Sequence, residues 1–561
     1  MPSARELLQE LRRVRSTYGV EAESRKRALL EALDNGRLRM VRDIIDVHED
    51  LLFLVAFPGG PETRRLALRQ LNDFLGRWRG VPAAVRVAAE NSGIAGTIAR
   101  PLVAWPIARA LTPREDAEID WRNLEDPAAF DALVARLVSP SEEDAFGSGE
   151  YSTRQWIELA RPREATALQW LIRAGAALAP RRDFAAAWDA AAVPLRWALK
   201  GSTRSTTHAR LNVRPTWRSG FRRPSGPTRD LVAQPLESIR LLPRREALRV
   251  IELARNALVA RSREVHAMSY ANPAEVHLAD LGAGVELAVI GVPPPQRLLL
   301  EANYGYLLLS NGVPIGYGGV SPLFRQANTG INVFDPFRGS EAAFLWVQTL
   351  RAFRTLFGVR RFIINGYQFG AGNSEAIASG AYWFYWRLGF RPSLPENVAL
   401  AAAEGARLKK APTRRTPAAV LRRLARGDLM LDLEDWEPAD TFEEALLSRL
   451  GAAVARRIAA LPVASHEAGA AQLTRDVADA LGLRHARVGA GVDRHGFERL
   501  APLAALLDLR TWSTVERAAL LRWMQAKGVS VEQAFARQAT EQVRFFRALR
   551  EVGRAEERLA R

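Results

Sequence analysis

One stretch, residues 304–392, constrains the fold of this chain more than any other, because strand patterns, tight turns and a long helix pattern follow one another within it. Two apolar strand patterns, at 306–310 and 313–320, flank the dipeptide Asn311-Gly312. This dipeptide is a strong short-range signal for a two-residue β-hairpin turn. The sequence therefore predicts a hairpin at the start of the stretch.

A strand, a turn and a helix follow the predicted hairpin. A third strand pattern, 330–334, runs into the turn 335–340, and an apolar helix pattern over 341–357 comes next. Gly358 ends that pattern, as glycine commonly does at helix C-termini. A fourth strand pattern occupies 361–365. This order predicts a unit in which strands and helices alternate.

The turn between the third strand and the helix has the residue types of an anion site. It contains Arg338, Gly339 and Ser340 directly before the predicted helix. Backbone N–H groups without intrahelical partners and the positive end of the helix dipole meet at such a point, so a phosphate or diphosphate can bind there. Arg338 can add a charge-assisted hydrogen bond. We interpret the turn as a candidate diphosphate site.

Two longer motifs extend this interpretation. The first runs from Val333 to Ala343 as Val-Phe-Asp-Pro-Phe-Arg-Gly-Ser-Glu-Ala-Ala, and the second runs from Ala381 to Phe390 as Ala-Tyr-Trp-Phe-Tyr-Trp-Arg-Leu-Gly-Phe. In these motifs the chain resembles the GNAT superfamily of acyl-CoA N-acyltransferases, whose patterns are V-x-P-x-x-R-G-x-G-x-G/A and N-x-x-A-x-x-L-Y-x-x-x-G-F. The second motif fits from its tyrosine to its Gly-Phe without a gap.

The resemblance implies a cofactor and the residues that hold it. The cofactor would be acetyl-CoA or another acyl-CoA, with its diphosphate on the turn. The matching cofactor-binding positions are Val333, Phe334, Arg338, Gly339, Ser340, Ala342 and Ala343. Tyr385 matches the position where the family often places the acid that protonates the leaving thiolate. The alternative for Tyr385 is a buried aromatic residue of a helix.

The base that removes the proton of the amine is not fixed by the resemblance. No acidic residue lies on the strand before Arg338, where family members often carry this base. Glu375 is the candidate that we name, and Glu301 or a chain of water molecules are the alternatives.

The chain departs from the family patterns at three positions. The proline lies one place late, at Pro336, and Glu341 replaces the middle glycine of the phosphate loop. Ala378 stands where the family has an asparagine, and Asn373 lies too far upstream to replace it directly. These departures bear on whether the site is active.

Glu341 has two interpretations. A carboxylate within about 5 Å of a diphosphate costs a few kcal/mol at an effective dielectric constant of about 20. Alternatively, Glu341 falls in line with Gln348 and Thr355 at seven-residue steps, which places it on a polar stripe that points away from the ligand.

Length and composition bound the remaining possibilities. A chain of 561 residues predicts several domains. The absence of cysteine excludes disulfides, thiolate metal sites and a cysteine nucleophile. No apolar run reaches the roughly 18 residues of a membrane span, and no signal-peptide pattern begins the chain, so we expect a cytoplasmic protein without a membrane partner.

Charge and histidine spacing add two further expectations. The net charge of +17 comes almost entirely from arginine and favours anionic partners, of which CoA is one. The arginine preference itself is typical of the codon usage of a GC-rich genome. His485, Asp493 and His495 lack a third strong ligand in register, so we expect no metal site.

We predict an α/β GNAT-like domain, with a mixed twisted sheet and helices on both faces, between mainly α-helical N- and C-terminal domains. Because the cofactor of the resembling family lies where two neighbouring strands of its sheet splay, we expect it at such a point here. The predicted ranges are 1–200 for an α-helical domain, 201–240 for a basic linker rich in Arg, Ser and Pro, 241–400 for the GNAT-like domain, 401–416 for a second linker and 417–561 for an α-helical C-terminal domain.

The segment 200–230 is strongly basic. It contains no acidic residue before Asp230 and carries Lys200, Arg204, Arg210, Arg214, Arg218, Arg222, Arg223 and Arg229 together with the aromatic residues Trp217 and Phe221. We predict a poorly packed, solvated linker, or a loop docked on acidic neighbours, that contributes little to nucleic-acid binding. The alternative is that its arginines and aromatic residues bind nucleic acid.

Two hypotheses for function follow. In the first, the protein is an acyl-CoA-dependent N-acyltransferase that moves the acyl group directly, in a ternary complex, to an unidentified small-molecule or peptide amine. In the second, it is a catalytically degenerate GNAT-like protein that acts as a helical scaffold or as a module that binds anions or nucleic acid. Binding of acyl-CoA would discriminate between them. The sequence does not indicate an oligomeric state.

Overall fold

In the part of the chain that the structure describes, the fold is mixed α/β with two β-sheets. The structure, a computed structural model, describes residues 3–34, 38, 40–113, 116–179, 181–200, 204–411, 413–437, 440–483 and 492–560. Its strands are β1 (Ile98–Ala99), β2 (Asp116–Ile119), β3 (Leu195–Ala198), β4 (Ile239–Leu241), β5 (Val276–Gly282), β6 (Val285–Gly291), β7 (Tyr304–Ser310), β8 (Val313–Leu323), β9 (Gln326–Thr329), β10 (Asn332–Val333), β11 (Arg361–Ile364), β12 (Arg391–Pro392) and β13 (Leu429–Asp432).

Helices surround both sheets. The N-terminal helices are α1 (Ala4–Val14), α2 (Val20–Asp34), α3 (Val41–Ala56), α4 (Pro61–Asn72), α5 (Ala83–Arg86), α6 (Trp105–Leu111), α7 (Pro127–Val134), α8 (Glu143–Gly147), α9 (Thr153–Ala160), α10 (Ala167–Gly175) and α11 (Arg182–Ala191). The central helices are α12 (Thr228–Ala233), α13 (Arg244–Val259), α14 (His266–Ser269), α15 (Ala342–Phe357), α16 (Ser374–Ser379) and α17 (Ala381–Arg387). The later helices are α18 (Pro395–Lys410), α19 (Ala418–Leu424), α20 (Glu444–Ala459), α21 (His466–Ala480), α22 (Val492–Ala504), α23 (Thr514–Ala526), α24 (Gln533–Ala539) and α25 (Val543–Ala560).

The central sheet has ten strands and is mixed. Its order is β12-β13-β11-β9-β8-β7-β6-β5-β4, and β10 pairs with β8 outside this path. Among the described strands, β9 and β11 are the one pair that runs parallel, and the other pairs are antiparallel. The smaller sheet has the order β1-β3-β2.

The hairpin predicted at Asn311-Gly312 joins β7 to β8. Both residues have positive φ, 47° and 77°, which is the backbone of a type I′ turn. A Cβ atom on Gly312 would lie 2.3 Å from the carbonyl oxygen of Leu211. The basic segment therefore passes so close to this turn that only glycine fits.

The sheet opens between β10 and β11. β9 pairs with β11 through residues 326–328 and 361–363, whereas β10 pairs only with β8. The predicted strand 330–334 is correspondingly shorter, Asn332–Val333, and β9 before it was not predicted. The predicted helix after the turn is confirmed as α15, and Gly358 ends it with φ 72°.

Two other sequence predictions need correction. The range 1–200 was predicted to be an α-helical domain, yet Leu195–Ala198 forms the central strand of the smaller sheet, where alternate side chains are buried. Residues 401–416 were predicted to be a linker, yet 401–410 belong to α18, whose alanines and proline at the first turn favour a helix.

Residues outside the predicted central range also complete the central sheet. β13, at Leu429–Asp432, lies between β11 and β12 although its region was predicted to be helical. One continuous hydrophobic core joins α1–α4 to this sheet, and it includes Leu51 and Leu307. The smaller sheet and the last helices each have a separate core. The N-terminal helices α1–α4 are therefore packed on the sheet.

The basic segment packs on the protein at 204–207 and at Arg218, where the prediction of a poorly packed linker is wrong, whereas most residues from 212 to 227 are exposed or half-buried. The side chains of Arg204 and Arg218 are buried. The backbone N–H of Arg218 donates to the carbonyl of Pro58 at 2.8 Å, and its guanidinium pairs with Glu341. The physical reason is a buried carboxylate that needs a cation, which corresponds to the other prediction, a loop docked on acidic neighbours.

Within the described residues, no helix is both long enough and apolar enough to cross a lipid bilayer.

Candidate functional site

A large cleft crosses the region where the central sheet opens. Its volume is about 2120 Å³. Its walls come from α3, the segment 261–265, β8, β10, the turn 334–339, α16, α17 and the segment 402–416. Pockets for one small ligand commonly occupy about 300–1,000 Å³, so this cleft has room for more than one ligand.

The turn before α15 presents free backbone donors to the cleft. The first hydrogen bond within the helix runs from the N–H of Leu345 to the carbonyl of Glu341 at 3.0 Å. The preceding N–H groups of Ala342, Ala343 and Phe344 therefore have no partner within the helix. Gly339 has φ 82°, and no heavy atom lies within 4 Å of a Cβ built on it. The space beside Gly339 is therefore open.

Most of the residues predicted for the cofactor lie in this cleft. Its lining includes Val333, Phe334, Arg338, Gly339 and Ala342, whereas Ser340 and Ala343 do not line it. The hydroxyl of Ser340 instead donates to the carbonyl of Phe337 at 2.7 Å.

Arg338 links the turn to α16. Its guanidinium pairs with Asp335 at 2.9 Å and with Glu375 at 2.7 Å, while 55% of its side chain stays exposed. The candidate base Glu375 is therefore engaged by the candidate phosphate ligand Arg338. An anion bound at the turn would compete with Glu375 for this guanidinium.

Glu341 lies neither beside the diphosphate position nor on a solvated polar stripe, the two environments that the sequence suggested. Its carboxylate is fully buried and pairs with Arg218 at 2.8 Å. It also accepts a hydrogen bond from the backbone N–H of Arg222 at 3.0 Å. Glu341 does not line the cleft, so it points away from the ligand position, but into the protein and not onto a solvated stripe.

Tyr385 lies on α17 and lines the cleft although it is 2% exposed. Its ring packs against Trp346, Phe369 and Phe390. Burial raises the pKa of the Tyr385 hydroxyl, and a hydrogen bond from the backbone of Ile331 opposes that rise. Because Ile331 lies between β9 and β10, Tyr385 brings a protonated hydroxyl to the point where the sheet opens.

Asn373 and Glu301, which the sequence also brought into consideration, have different environments. Asn373 is the N-cap of α16, and its side chain accepts from the N–H of Ala376 at 3.0 Å. Glu301 does not line the cleft. Burial raises the pKa of Glu301 to about 7, and Ser321 and Lys527 are among its neighbours. The structure therefore does not bring Glu301 to Tyr385.

A carboxylate from the N-terminal helices lines the cleft and was not predicted from the sequence. It belongs to Glu49 on α3, which packs against the turn 335–337. Burial, together with the nearby charge of Asp46, raises the pKa of Glu49 to about 7. No local motif connects Glu49 to the turn, because the contact joins segments far apart in the chain.

The cleft has a cationic rim at the end formed by α17, β12, the last turn of α18 and the segment after it. We define the rim as the cleft-lining residues Arg387, Arg391, Lys409, Arg414 and Arg415. The guanidinium of Arg391 lies 4.2 Å from the ring of Trp386. In the part of the chain that the structure describes, no ion pair joins this rim to an acidic residue.

Comparisons with family models, with curated proteins and with solved structures give no match for this chain. Function is therefore inferred from the cleft alone. The histidine cluster considered for a metal includes His485, which lies outside the described residues. Among those described, no group of three or more His, Asp or Glu side chains is placed to hold a metal ion.

Proposed function

We propose that the protein is an acyl-CoA-dependent N-acyltransferase of the GNAT type. One observation carries the proposal: the opening between β10 and β11 and the free N-terminus of α15 lie in the same cleft. An acyl-CoA needs both features, because its thioester requires a site beside the reacting amine and its diphosphate requires donors.

The cofactor would lie along β10 and the turn after it. The backbone N–H groups of Gly339 and Ala342, which line the cleft, would bind the diphosphate, with Arg338 adding a charged donor. The thioester would then reach Tyr385, whose protonated hydroxyl can supply the proton that the leaving thiolate takes up. The acyl group would pass directly to an amine bound in the remaining part of the cleft.

A second candidate function is the binding of anions without catalysis. The cationic rim supports it, since four of its five side chains carry neither an ion pair nor a described aromatic partner. Such a surface attracts the phosphates of a nucleic acid as well as those of a nucleotide. The two candidates differ in whether an acyl thioester is bound and consumed.

Calorimetric titration with acetyl-CoA and with longer acyl-CoAs tests the proposal, alongside thermal melting. Ligand at a hundred times its dissociation constant should stabilise the fold by about 2.7 kcal/mol. Inorganic diphosphate and a single-stranded oligonucleotide are the comparison ligands. No heat and no melting shift at millimolar acyl-CoA would refute the proposal, and binding of the oligonucleotide alone would favour the second candidate.

The variant Tyr385→Phe separates binding from turnover. It should leave the affinity for acetyl-CoA unchanged, because the ring keeps its packing. Release of CoA from acetyl-CoA in the presence of an amine should fall by roughly 10²-fold or more, the usual contribution of a positioned acid. Unchanged turnover would assign Tyr385 to packing only.

A further inference from the structure

The cleft has a second wall that is formed by α3 and the segment 261–265. This wall approaches the opening of the sheet from the N-terminal helices, whereas Tyr385 approaches it from α17. α3 packs on both the turn 335–337 and β8. Since the cleft exceeds the volume of a single-ligand pocket, this wall is where a second substrate has room.

Carboxylates are the groups in the cleft that could accept a proton from that substrate. The acidic residues that line it are Glu49, Glu90, Glu264, Asp335 and Glu375. Two of them are held by one arginine: Asp335 and Glu375 pair with Arg338 at 2.9 Å and 2.7 Å. Their oxygens already accept charge-assisted hydrogen bonds from the Arg338 guanidinium.

Two more of these carboxylates have structural partners. Glu90 pairs with Arg100 at 2.8 Å. Glu264 accepts from the hydroxyl of Ser269 and from the backbone N–H of Ala104. Each of these bonds fixes a loop, so neither carboxylate is available to a substrate.

Glu49 is the least engaged of the five. Among the described residues, its ion pair is with Arg12, whose Nη2 lies 3.6 Å from Oε2, beyond hydrogen-bond distance. The neighbouring His48 also lines the cleft, but its Nε2 lies 2.9 Å from the Thr207 hydroxyl. Burial lowers the pKa of His48 to about 3, which removes it as a base at neutral pH.

The charges that face Glu49 come from four elements. Asp46 on its own helix and Asp335 after β10 raise its pKa, in addition to burial, whereas Arg12 on α1 and Arg42 on α3 lower it. The Arg261 guanidinium, which lies 4.1 Å from the Phe334 ring, also faces it.

The pKa that results from burial and these charges suits the Glu49 carboxylate to accept a proton at neutral pH. A pKa of about 7 leaves Glu49 part ionised at neutral pH and basic enough to take a proton from an ammonium group.

We propose that Glu49 is the proton acceptor for the amine substrate, an inference that rests on the proposed acyl transfer. The ammonium group loses one proton to the Glu49 carboxylate, and the free amine forms a bond to the thioester carbon. The carbon–sulfur bond then breaks, the thiolate takes the Tyr385 proton, and the second nitrogen proton restores the Tyr385 hydroxyl. Glu49 thus accepts a proton from the amine, and Tyr385 donates a proton to the leaving thiolate.

The test compares Glu49→Gln with three matched variants. Glu49→Asp keeps the carboxylate, Glu375→Gln removes the other candidate base, and Glu62→Gln is a control at an exposed position of α4. The assay measures release of CoA from acetyl-CoA between about pH 5.5 and 9. The amines are spermidine, glucosamine and a short peptide with a free N-terminus, and calorimetry measures acetyl-CoA binding by each protein.

We expect the wild-type rate to rise with pH along a limb centred near the pKa of Glu49. Glu49→Gln should lower kcat by roughly 10²- to 10⁴-fold and abolish the limb, with acetyl-CoA affinity unchanged. Glu49→Asp should restore the limb. Asp335→Asn should move it to lower pH, because the negative charge that raises the pKa of Glu49 is removed.

Several outcomes would overturn the assignment. They are an intact limb in Glu49→Gln, loss of the limb in Glu375→Gln instead, and no release of CoA by wild type with any of the amines although acetyl-CoA binds. The last outcome leaves cofactor binding standing. Absence of acetyl-CoA binding to the wild type would contradict the proposed function itself, so the two failures are distinguishable.

Discussion

Arg338 is exposed enough to reach a ligand and close enough to α15 to act with its backbone donors. Replacing it with alanine should weaken acetyl-CoA binding roughly ten- to hundredfold, the usual effect of removing one charged hydrogen bond. Calorimetry measures the change, with Arg65→Ala on α4 as the surface control. Glu375→Gln should have the opposite effect, because it frees the guanidinium from its ion pair. Equal affinities in Arg338→Ala and wild type would place the diphosphate elsewhere.

Glu341 and Arg218 form a buried ion pair, so each depends on the other. Glu341→Gln leaves a buried guanidinium without its counter-charge and should lower the free energy of unfolding by about 3–5 kcal/mol. The double replacement Arg218→Met with Glu341→Leu should recover most of this loss, because no buried charge remains. Urea unfolding of the wild type, Arg218→Met, Glu341→Leu and the double variant measures the coupling. Additive effects of the two single replacements would contradict it.

At the residue scale, the sequence supports only what local spacing can encode. The positions of Arg338, Gly339 and Tyr385 on the cleft follow from one turn and one helix, and the sequence was sufficient to locate them. The partner of Glu341 and the position of Glu49 depend on contacts with residues more than a hundred positions away. No periodicity within a segment reports such contacts, so neither could be predicted.

At the scale of elements, β7, β8 and α15 are encoded by local sequence patterns, whereas β9 and β13 depend on contacts with distant segments. The first three have strong patterns, a hairpin dipeptide and a glycine cap, and the sequence predicted each of them. β9 reads Gln-Ala-Asn-Thr, which has little strand character of its own. It is a strand because β8 and β11 pair with its two edges.

The basic segment gives a prediction at this scale. Backbone hydrogen bonds tie it to the rest of the chain from Thr206 to Gly93, from Leu211 to Gly312 and from Arg218 to Pro58. We therefore expect trypsin to cleave slowly after its arginines, since cleavage requires local unfolding. Mass spectrometry of the early fragments measures this.

Trypsin cleavage in the basic segment can be compared with cleavage in the basic sequence after α18 of the same protein. Arg414 and Arg415 are as exposed as Arg214 and Arg223, but the described backbone hydrogen bond of their stretch, from the N–H of Arg414 to the carbonyl of Ala411, is local, so cleavage there should come first. Early cleavage after Arg214 or Arg223 instead would show that the basic segment opens readily.

At the scale of the whole molecule, a buried charged cluster joins the sheet to the last helices. Its members are Glu275, Arg297, Lys527 and Glu532, all with fully buried side chains. Tyr304 on β7 donates to Glu275 at 2.7 Å, and Glu275 also accepts from the backbone N–H of Gln533 at α24. The cluster ties the stability of this interface to pH.

Glu275 sets the direction of that dependence. Burial raises its pKa from 4.5 to about 7. A raised pKa stabilises the folded protein fully below pH 4.5, and this contribution is lost as the pH rises through 7. Lys527, whose pKa burial lowers to about 8, stays protonated across most of this window and adds little slope.

We expect Glu275→Gln to remove this pH dependence. Between pH 4.5 and 7.5 the wild type should lose about 3 kcal/mol relative to the variant, because a neutral amide does not titrate. Urea unfolding at the two pH values measures the difference, and groups elsewhere in the chain cancel between the two proteins. If the free energies of unfolding of wild type and Glu275→Gln differ by the same amount at both pH values, Glu275 is ionised throughout this range.

The position of β13 between β11 and β12 has a consequence for the order of synthesis. A ribosome adds about 5–20 residues per second, so the roughly 65 residues between Ile364 and Leu429 take several seconds to appear. During that interval one edge of β11 has no neighbour, and an open strand edge can recruit other chains. The nascent protein thus passes through a period in which its central sheet is complete on one side only, and β13 closes it.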